Sequence, residues 1–154
     1  MRAVLQRVTG ASVDVEGERI ASIERGLVAL VGVGAEDRPE DGERLAAKIA
    51  SLRIFDDDRG KLSRSVIDVD GAVLAVPQFT LYGDLRDGRR PDFTKAAPPD
   101  KGQRLYDAFC GALRGKGVRV ESGRFGATMR VHIDGDGPVT IVASTDRWTE
   151  GELG

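Results

Sequence analysis

The sequence predicts a single α/β domain in which two helices cover a mixed, mostly antiparallel sheet. The 154 residues suit one domain with a real hydrophobic core and leave little room for two. Apolar segments follow one another in the order strands, helix, strand, helix, strands. No repeat or linker interrupts them. We therefore assign residues 1–154 to one domain and expect about 146–154 to form a loosely ordered tail.

Strand signals dominate the first part of the chain. Alternating apolar and polar residues over positions 12–23 predict two short strands joined by a turn at Glu16 and Gly17. The continuous apolar run Leu27–Gly34 predicts a fully buried strand. The polar segment Asp56–Ser65 contains a glycine and predicts a loop, or a turn between strands.

Two helices are predicted by apolar residues that recur on one helical face. The first begins near Asp37 and Pro39, and the second begins at Ala96–Pro99 and ends at Gly115 and Gly117. The apolar faces consist of Leu45, Ile49 and Leu52 in the first helix and Leu105, Phe109 and Leu113 in the second. Together with the remaining strands these helices complete the predicted domain.

The remaining apolar segments predict four more strands. They are Ala72–Tyr82, between the two helices, and then Val118–Glu121, Ala127–Ile133 and Val139–Ser144. With the strands near the N-terminus, they form a sheet that is rich in hairpins.

The residue inventory excludes several classes of function. No run of about 18 apolar residues exists, so we expect no transmembrane helix, and the N-terminus lacks the features of a secretory signal. The single cysteine, Cys110, excludes an internal disulfide and fits a reducing cytoplasm. The single histidine, His132, leaves neither a hydrolytic triad nor a typical zinc site, so we expect no metal. We expect Cys110 to be packed beside the second helix's apolar face, and His132 to be structural or exposed.

The charge is unevenly distributed along the chain. Residues 1–84 carry 11 Lys or Arg and 15 Asp or Glu, residues 85–130 carry 11 and 5, and residues 131–154 carry 1 and 5. The net charge of −2 does not indicate a nucleic-acid-binding protein, but a polyanion needs only a local positive face. The basic middle segment fits such a face, and it also fits an ordinary solvated surface.

The strand Ala72–Tyr82 contains a polar interruption. Pro77 stands directly before Gln78, Phe79 and Thr80. Because proline lacks an N–H, it can end the pairing of a strand and free the amides that follow. Strand alternation would place Gln78 and Thr80 on one face and Phe79 on the other. Taken alone, these are ordinary surface residues.

Five blocks of the sequence occur in an order and spacing that a known family shares. They are MRAVLQRV-x3-SV, LAAKIASLRIFDDDRGK, QFTLYGDLRDGRRPDFTKAAPP, SGRFGATM and DGPVT. Over essentially its whole length the chain thereby resembles the D-aminoacyl-tRNA deacylases. It departs from the family's motifs at Pro77, where the family has serine, and at Gly135, where it has asparagine. A related branch that edits L-alanine mischarged on tRNA is similar at Pro77 and Gln78 but does not keep Phe79.

The resemblance implies a cytoplasmic homodimer of the deacylase-type fold, with a pocket shared across the interface. The expected reaction is hydrolysis of the ester that joins a D-amino acid to the terminal adenosine of tRNA, or glycine mischarged on tRNA-Ala. The expected partner is the acceptor end of aminoacyl-tRNA, without a cofactor or a membrane. Two alternatives remain open: an editing deacylase for mischarged L-alanyl-tRNA, and a non-enzymatic RNA-binding module.

The resemblance also implies roles for individual residues. Gln78, Phe79 and Thr80 match the catalytic motif. Gly137 and Pro138 match a cis Gly-Pro element that is inserted from the partner subunit and excludes L-amino acids. The residues expected to bind or support the substrate are Arg7, which steadies this element, Pro77, Arg86, Arg89, Arg90, and Phe125 and Met129, which hold the terminal adenine.

No good general base lies beside the motif in the sequence. The nearest acid, Asp84, is expected to be a turn residue, and Asp136 is supported only by its position next to Gly137. We therefore expect the 2′-hydroxyl of the tRNA's own ribose to help position or activate water. For the same reason we do not assign Thr80 as a covalent nucleophile.

Overall fold

The computed structural model describes residues 1–147, and its elements follow the predicted order. The strands are β1 (Arg2–Val15), β2 (Glu18–Ile23), β3 (Gly26–Gly32), β4 (Phe55–Asp56), β5 (Leu62–Arg64), β6 (Ala72–Pro77), β7 (Arg119–Ser122) and β8 (Arg130–Ser144). The helices are α1 (Pro39–Ser51) and α2 (Pro99–Gly115), and Phe79–Tyr82 forms a single 3₁₀ turn. The α/β fold class with two helices is confirmed. Most of the predicted tail, residues 148–154, lies outside the described residues.

The main sheet is organised around β1. The first half of β1 pairs antiparallel with β3 and its second half with β2, while β8 pairs antiparallel along the opposite edge of both halves. Strand β6 lies parallel to β3, and β7 lies parallel to β6. The predicted β1–β2 turn is present, with Glu16 and Gly17 at φ values of 51° and 80°. The sheet is therefore mixed, as the sequence predicts.

Side chains on the two faces of the sheet belong to two cores. On one face Val73 and Ala75 of β6 pack with α1 and α2, around Ile49 and Phe109. On the other face Leu74 and Val76 pack against the β1–β2 hairpin, and partly buried Met129 and Val131 join this second core. Because strand side chains alternate, a short strand such as β6 supplies both cores.

Glycine at position 26 sets the distance between β3 and β6. A Cβ atom at Gly26 would lie 1.8 Å from the carbonyl oxygen of Ala72, the residue opposite it in the parallel pair. No side chain fits that space. The first rung of the β3–β6 pairing thus depends on the absence of a side chain.

The predicted strand Ala72–Tyr82 is too long. Its regular pairing ends at Pro77, after which the Gln78 N–H still donates to Val31 O at 2.7 Å and the chain folds into the 3₁₀ turn. The turn packs against the end of β3, where a Cβ at Gly32 would lie 2.9 Å from Gln78 O. The predicted strand is therefore wrong at Phe79–Tyr82, where a 3₁₀ turn replaces it, although the Gln78 and Thr80 side chains still lie together and form a hydrogen bond.

The two predicted strands at Ala127–Ile133 and Val139–Ser144 are joined in one strand, β8, that begins only at Arg130 and bulges in the middle, so Ala127–Met129 belong to the loop before it. Gly135 pairs with Val8 and Thr140 pairs with Gln6, so β8 advances five residues while β1 advances two. The extra residues loop out as an exposed bulge that contains Gly137–Pro138, whose peptide bond is cis. A glycine–proline pair in the sequence indicates a turn, and here the turn lies inside a continuous strand.

Within residues 1–147, neither helix is long and apolar enough to cross a membrane.

Candidate active site

A pocket of about 690 Å³ lies beside the end of β6. It is bordered by Val76, Pro77, Gln78 and Phe79 from the strand end and by residues 125–129 from the loop that precedes β8. Phe93, Ala96, Ala97 and Pro99 complete its wall. The structure therefore brings together Gln78 and Phe79 of the predicted motif and both residues expected to hold adenine, Phe125 and Met129. Thr80 is not among the residues that line the pocket.

Two backbone N–H groups of the 3₁₀ turn beside this pocket have no hydrogen-bond partner in the described part of the chain. Gln78 N–H is occupied by Val31 O, but the N–H groups of Phe79 and Thr80 donate to no acceptor within residues 1–147. This follows from the geometry, because the first amides of a helical turn have no partner inside it. The Gln78 side-chain amide donates to the Thr80 hydroxyl, which holds the two side chains together. The prediction of free amides is therefore correct for Phe79 and Thr80 and wrong for Gln78.

The aromatic wall of the pocket includes a residue that the sequence did not single out. Phe79 is 56% exposed, and its ring meets the Phe93 ring edge to face at a centroid distance of 5.2 Å. Phe93 lies in the block that carries the family resemblance, but a lone phenylalanine in a polar loop gives no local signal. Its contact with Phe79 depends on the fold of residues 84–92, where the chain doubles back through an Asp84–Asp92 bridge.

The loop with Phe125 and Met129 is held closely to β6. A Cβ at Gly123 would lie 2.8 Å from the Met129 sulfur and 3.5 Å from the Pro77 ring. The Tyr106 hydroxyl on α2 bonds to Ala75 O at 3.0 Å and to the Ser122 hydroxyl at 2.7 Å, just before this loop. Both contacts hold the loop with Phe125 and Met129, which forms the apolar side of the pocket, against β6.

Arg7 supports the Gly137–Pro138 bulge, as the resemblance implies. Its Nε donates to Asp136 O at 3.3 Å and lies 3.1 Å from the Asp136 carboxylate. The same buried guanidinium donates to Ile54 O at 3.0 Å. Arg7 therefore connects the bulge to the start of β4.

Within one chain, the Gly137–Pro138 bulge does not reach the motif at Gln78. Pro77 pairs with Val31, Val31 with Ala3, and Ala3 with Ala143, so three strand spacings separate β6 from β8. The bulge lies level with Arg7, four residues further along β1. Counted along the sheet, these steps amount to roughly 20 Å, and neither Gly137 nor Pro138 lines the pocket.

The three predicted arginines differ in their surroundings. Arg86 is bound to Asp84, whose carboxylate also contacts Lys95 at 3.0 Å. The hydrogen bond from Arg86, followed by that from Lys95, holds the pKa of Asp84 well below its usual range. Asp84 lies at the base of the loop 84–92, where it bridges to Asp92 and its carboxylate accepts from Arg86 N–H at 3.1 Å. Arg89 and Arg90 are exposed and form no ion pair with any residue from 1 to 147.

Cys110 and His132 lie away from the pocket lining. Cys110 is buried beside the apolar face of α2, and burial raises the pKa of its thiol. His132 is exposed and lies 2.8 Å from the Asp14 carboxylate, whose pKa is lowered by Arg19 first and by His132 second. Both placements match the expectation from sequence. Across residues 1–147, no three His, Cys, Asp or Glu residues form a group that could hold a metal ion.

Comparisons with known proteins converge on one family. Residues 4–144 match the family model described as D-Tyr-tRNA(Tyr) deacylase. The chain is 55% identical over 147 residues to a D-aminoacyl-tRNA deacylase of Thermotoga petrophila, covering 96% of this chain and 99% of that protein. It is 57% identical over 141 residues to a D-aminoacyl-tRNA deacylase of Bacillus pumilus, covering 92% and 96%.

Solved structures agree with this match. The structure of a c-Myc DNA unwinding element binding protein is similar with a TM-score of 0.89 and 44% identity, covering 95% of this chain and 99% of that one. A probable eukaryotic D-amino acid tRNA deacylase gives a TM-score of 0.82 at 20% identity, covering 92% and 97%, and this likeness concerns the fold alone.

Proposed function

The chain belongs to the D-Tyr-tRNA(Tyr) deacylase family and is a hydrolase of aminoacyl-tRNA esters, and from that premise we propose how its pocket works. Its substrate is D-aminoacyl-tRNA, which it cleaves to free tRNA and the D-amino acid as a proofreading step in the cytoplasm. We extend the proposal to glycine mischarged on tRNA-Ala. The observation that carries it is the pocket itself, which is lined by Gln78 and Phe79 of the motif and by Phe125 and Met129 of the loop before β8.

The unused amides of Phe79 and Thr80 are the proposed oxyanion donors. As water attacks the ester, its carbonyl oxygen gains negative charge, and backbone N–H groups that already point at that position stabilise it without reorganisation. Water is positioned by the 2′-hydroxyl of the terminal ribose. The Thr80 hydroxyl, which accepts from Gln78, serves to shape the turn.

The terminal adenosine is the proposed occupant of the apolar side of the pocket. Phe125 offers a ring for stacking, and Met129 offers a polarisable apolar contact. Arg89 and Arg90 are exposed and unpaired within residues 1–147, so they are suited to the phosphodiester chain that follows the adenosine. Arg86 has a smaller direct role, because Asp84 engages it.

Chiral selection is assigned to Gly137–Pro138 of a partner subunit. Within one chain, neither Gly137 nor Pro138 lines the pocket, and three strand spacings along the sheet separate β6 from β8, which argues against a pocket built from one chain's own motifs. The bulge is exposed and braced by Arg7, as an element that enters a neighbouring pocket requires. Its carbonyl groups would accept from the substrate's amino group and leave no volume for an L side chain, so specificity arises by exclusion.

The test is a comparison of four substrates with one enzyme. Single-turnover hydrolysis is measured for D-tyrosyl-tRNA, L-tyrosyl-tRNA, glycyl-tRNA-Ala and L-alanyl-tRNA mischarged on a non-cognate tRNA. We expect rapid cleavage of the first and third and none of the second above the spontaneous rate. Cleavage of L-alanyl-tRNA without cleavage of D-tyrosyl-tRNA would instead support the specificity of the related branch that edits mischarged L-alanine, which this chain resembles at Pro77. Binding of all four without cleavage would indicate an RNA-binding module.

A further inference from the structure

Asp37 is a buried acid that the proposed reaction does not use. It lies just before α1 and is 8% exposed. Its carboxylate accepts from the Met1 α-ammonium at 2.7 Å, from Gly34 N–H at 2.6 Å and from the Tyr82 hydroxyl at 3.2 Å. A carboxylate with three donors is costly to move, because each donor would lose a charge-assisted hydrogen bond. The Asp37 carboxylate is therefore held in one position beside the end of β3.

Tyr82 connects the Asp37 carboxylate to the 3₁₀ turn. It is the last residue of the turn, and its buried ring packs on Gly34, where a Cβ would lie 2.8 Å from the ring. Burial raises the pKa of the Tyr82 hydroxyl, so it stays protonated and donates to Asp37. The Arg2 guanidinium covers the ring at 4.2 Å and donates to Leu81 O at 2.9 Å. The second half of the turn is thus held on three sides.

The hydrogen bonds at the ends of the turn join residues of the turn to one another and do not fix its orientation relative to the sheet. Leu81 N–H donates to Gln78 O at 3.4 Å, which is long, and Gly83 N–H donates to Thr80 O at 3.0 Å. The first half carries the exposed side chains of Phe79 and Thr80 and their unused amides. The direction of these amides therefore depends on the Gln78 N–H bond to Val31 O at the start of the turn and on the contacts of Leu81 and Tyr82 at its end.

We propose that Asp37 and Tyr82 are positioning residues, which anchor the 3₁₀ turn so that the Phe79 and Thr80 amides point at the ester carbonyl oxygen. Neither residue is among those that line the pocket beside β6. The proposal rests on the proposed deacylase function, because it assigns these amides the oxyanion. It requires that loosening the anchor lower the rate of the chemical step and leave tRNA binding almost unchanged.

The first experiment separates positioning from stability. Tyr82→Phe removes only the hydroxyl, and Asp37→Asn removes the charge that holds it. Asp41→Asn is the matched control, since Asp41 accepts from Arg38 N–H at 2.8 Å at the same helix start but does not contact Tyr82. We expect Tyr82→Phe to lower the single-turnover rate on D-tyrosyl-tRNA about 2–10-fold, the equivalent of one hydrogen bond, with KM within about twofold. Asp41→Asn should lower the melting temperature but not the rate.

A double-mutant cycle tests whether Asp37 acts through Tyr82. In the Tyr82→Phe background, Asp37→Asn should reduce the rate by a smaller factor than it does in the wild type. Equal factors in both backgrounds would refute the coupling. A fall in melting temperature with unchanged rates in both single variants would reduce the pair to a structural role and overturn the proposal.

Amide exchange in the free protein gives a readout that does not depend on activity. Tyr82→Phe should speed hydrogen exchange at Leu81 and Gly83 while leaving the β3 amides unchanged. Unchanged exchange at Leu81 and Gly83 would contradict the anchoring. If the wild type cleaves no D-aminoacyl-tRNA, the proposed function fails, whereas the exchange result still decides whether the anchor exists.

Discussion

At the scale of single residues, the pocket relies on backbone amides more than on ionisable side chains. Gln78 and Thr80 bond to each other, and the nearest acid in sequence, Asp84, is bound by Arg86 and Lys95. No protein group within the motif therefore has a clear path to take a proton from water or from Thr80. This arrangement supports the proposal that N–H donors and the substrate's own hydroxyl carry the chemistry.

The proposed mechanism predicts that the 2′-hydroxyl of the terminal adenosine contributes more to the rate than the Thr80 hydroxyl does. We expect Thr80→Val to slow single-turnover hydrolysis of D-aminoacyl-tRNA less than replacing the terminal adenosine by 2′-deoxyadenosine does, provided that the turn keeps its shape. For comparison, the loss of one oxyanion donor lowers the rate of such a reaction by about 10²–10³-fold. Thr80→Ser serves as the control that keeps the bond from Gln78. Full activity on the deoxy substrate with none for Thr80→Val would restore Thr80 as the nucleophile.

Cys110 and His132 should be dispensable for the reaction. The buried thiol has a raised pKa, so it stays protonated and should not react with a thiol reagent at pH 8 until the protein unfolds. We expect Cys110→Ala and His132→Ala proteins that remain folded to keep the wild-type single-turnover rate within about twofold. Loss of the deacylation step in a folded variant of either residue would contradict this assignment.

At the scale of elements, periodic patterns were predictable and contacts between elements were not. The faces of α1 and α2 and the buried run of β3 follow from local periods of apolar residues, and the structure confirms them. The 3₁₀ turn depends on Gly32 and Gly34 leaving room for it, and the β8 bulge depends on pairing with β1. Neither the 3₁₀ turn nor the β8 bulge can be predicted from the residues that form it, because each depends on contacts with distant parts of the chain. The motif residues were found through their family resemblance, whereas Phe93 and Asp37 became evident only from contacts across the fold.

The bulge gives a matched pair of glycine substitutions. Gly137 has a φ of 125°, and a Cβ there would lie 2.8 Å from Val139 N, whereas a Cβ at Gly135 would meet nothing within 4 Å. We expect Gly137→Ala to distort the bulge and lower the ratio of D- to L-tyrosyl-tRNA hydrolysis by about tenfold or more. Gly135→Ala should keep the ratio within about twofold. Equal ratios for both variants and the wild type would remove the bulge from chiral selection.

At the scale of the whole molecule, the motif and the Gly137–Pro138 bulge lie on different strands of the sheet. The motif lies at the end of β6, and the bulge lies on the far edge of the sheet, which no other strand covers within residues 1–147. An edge strand of this kind offers a surface to a second copy. A symmetric pair would place each bulge against the other chain's pocket and complete two sites at once.

The shared site predicts complementation between two defective chains. Sedimentation should give about twice the 16.5 kDa mass of the chain at micromolar concentration. A Gln78→Ala chain and a Gly137→Val chain, each impaired alone, should regain about a quarter of wild-type activity when they are co-refolded. This value follows because half of randomly paired dimers are mixed, and each mixed dimer has one intact pocket. A fully active monomer, or co-refolded chains that stay impaired, would exclude a pocket made by two chains.

The missing side chain at Gly26 has a consequence for protein engineering. Gly26 lies at the opposite end of β6 from Pro77, yet it lets Ala72 approach closely enough to begin the parallel pairing that carries the motif to its place. Any substitution there would push the strand outward and carry the pocket rim with it. A mutant library designed to broaden the range of accepted amino acids should therefore vary the pocket wall and keep Gly26 fixed. Directed evolution that ignores this remote position would lose many variants to a displaced strand and misattribute their failure to the pocket residues under selection.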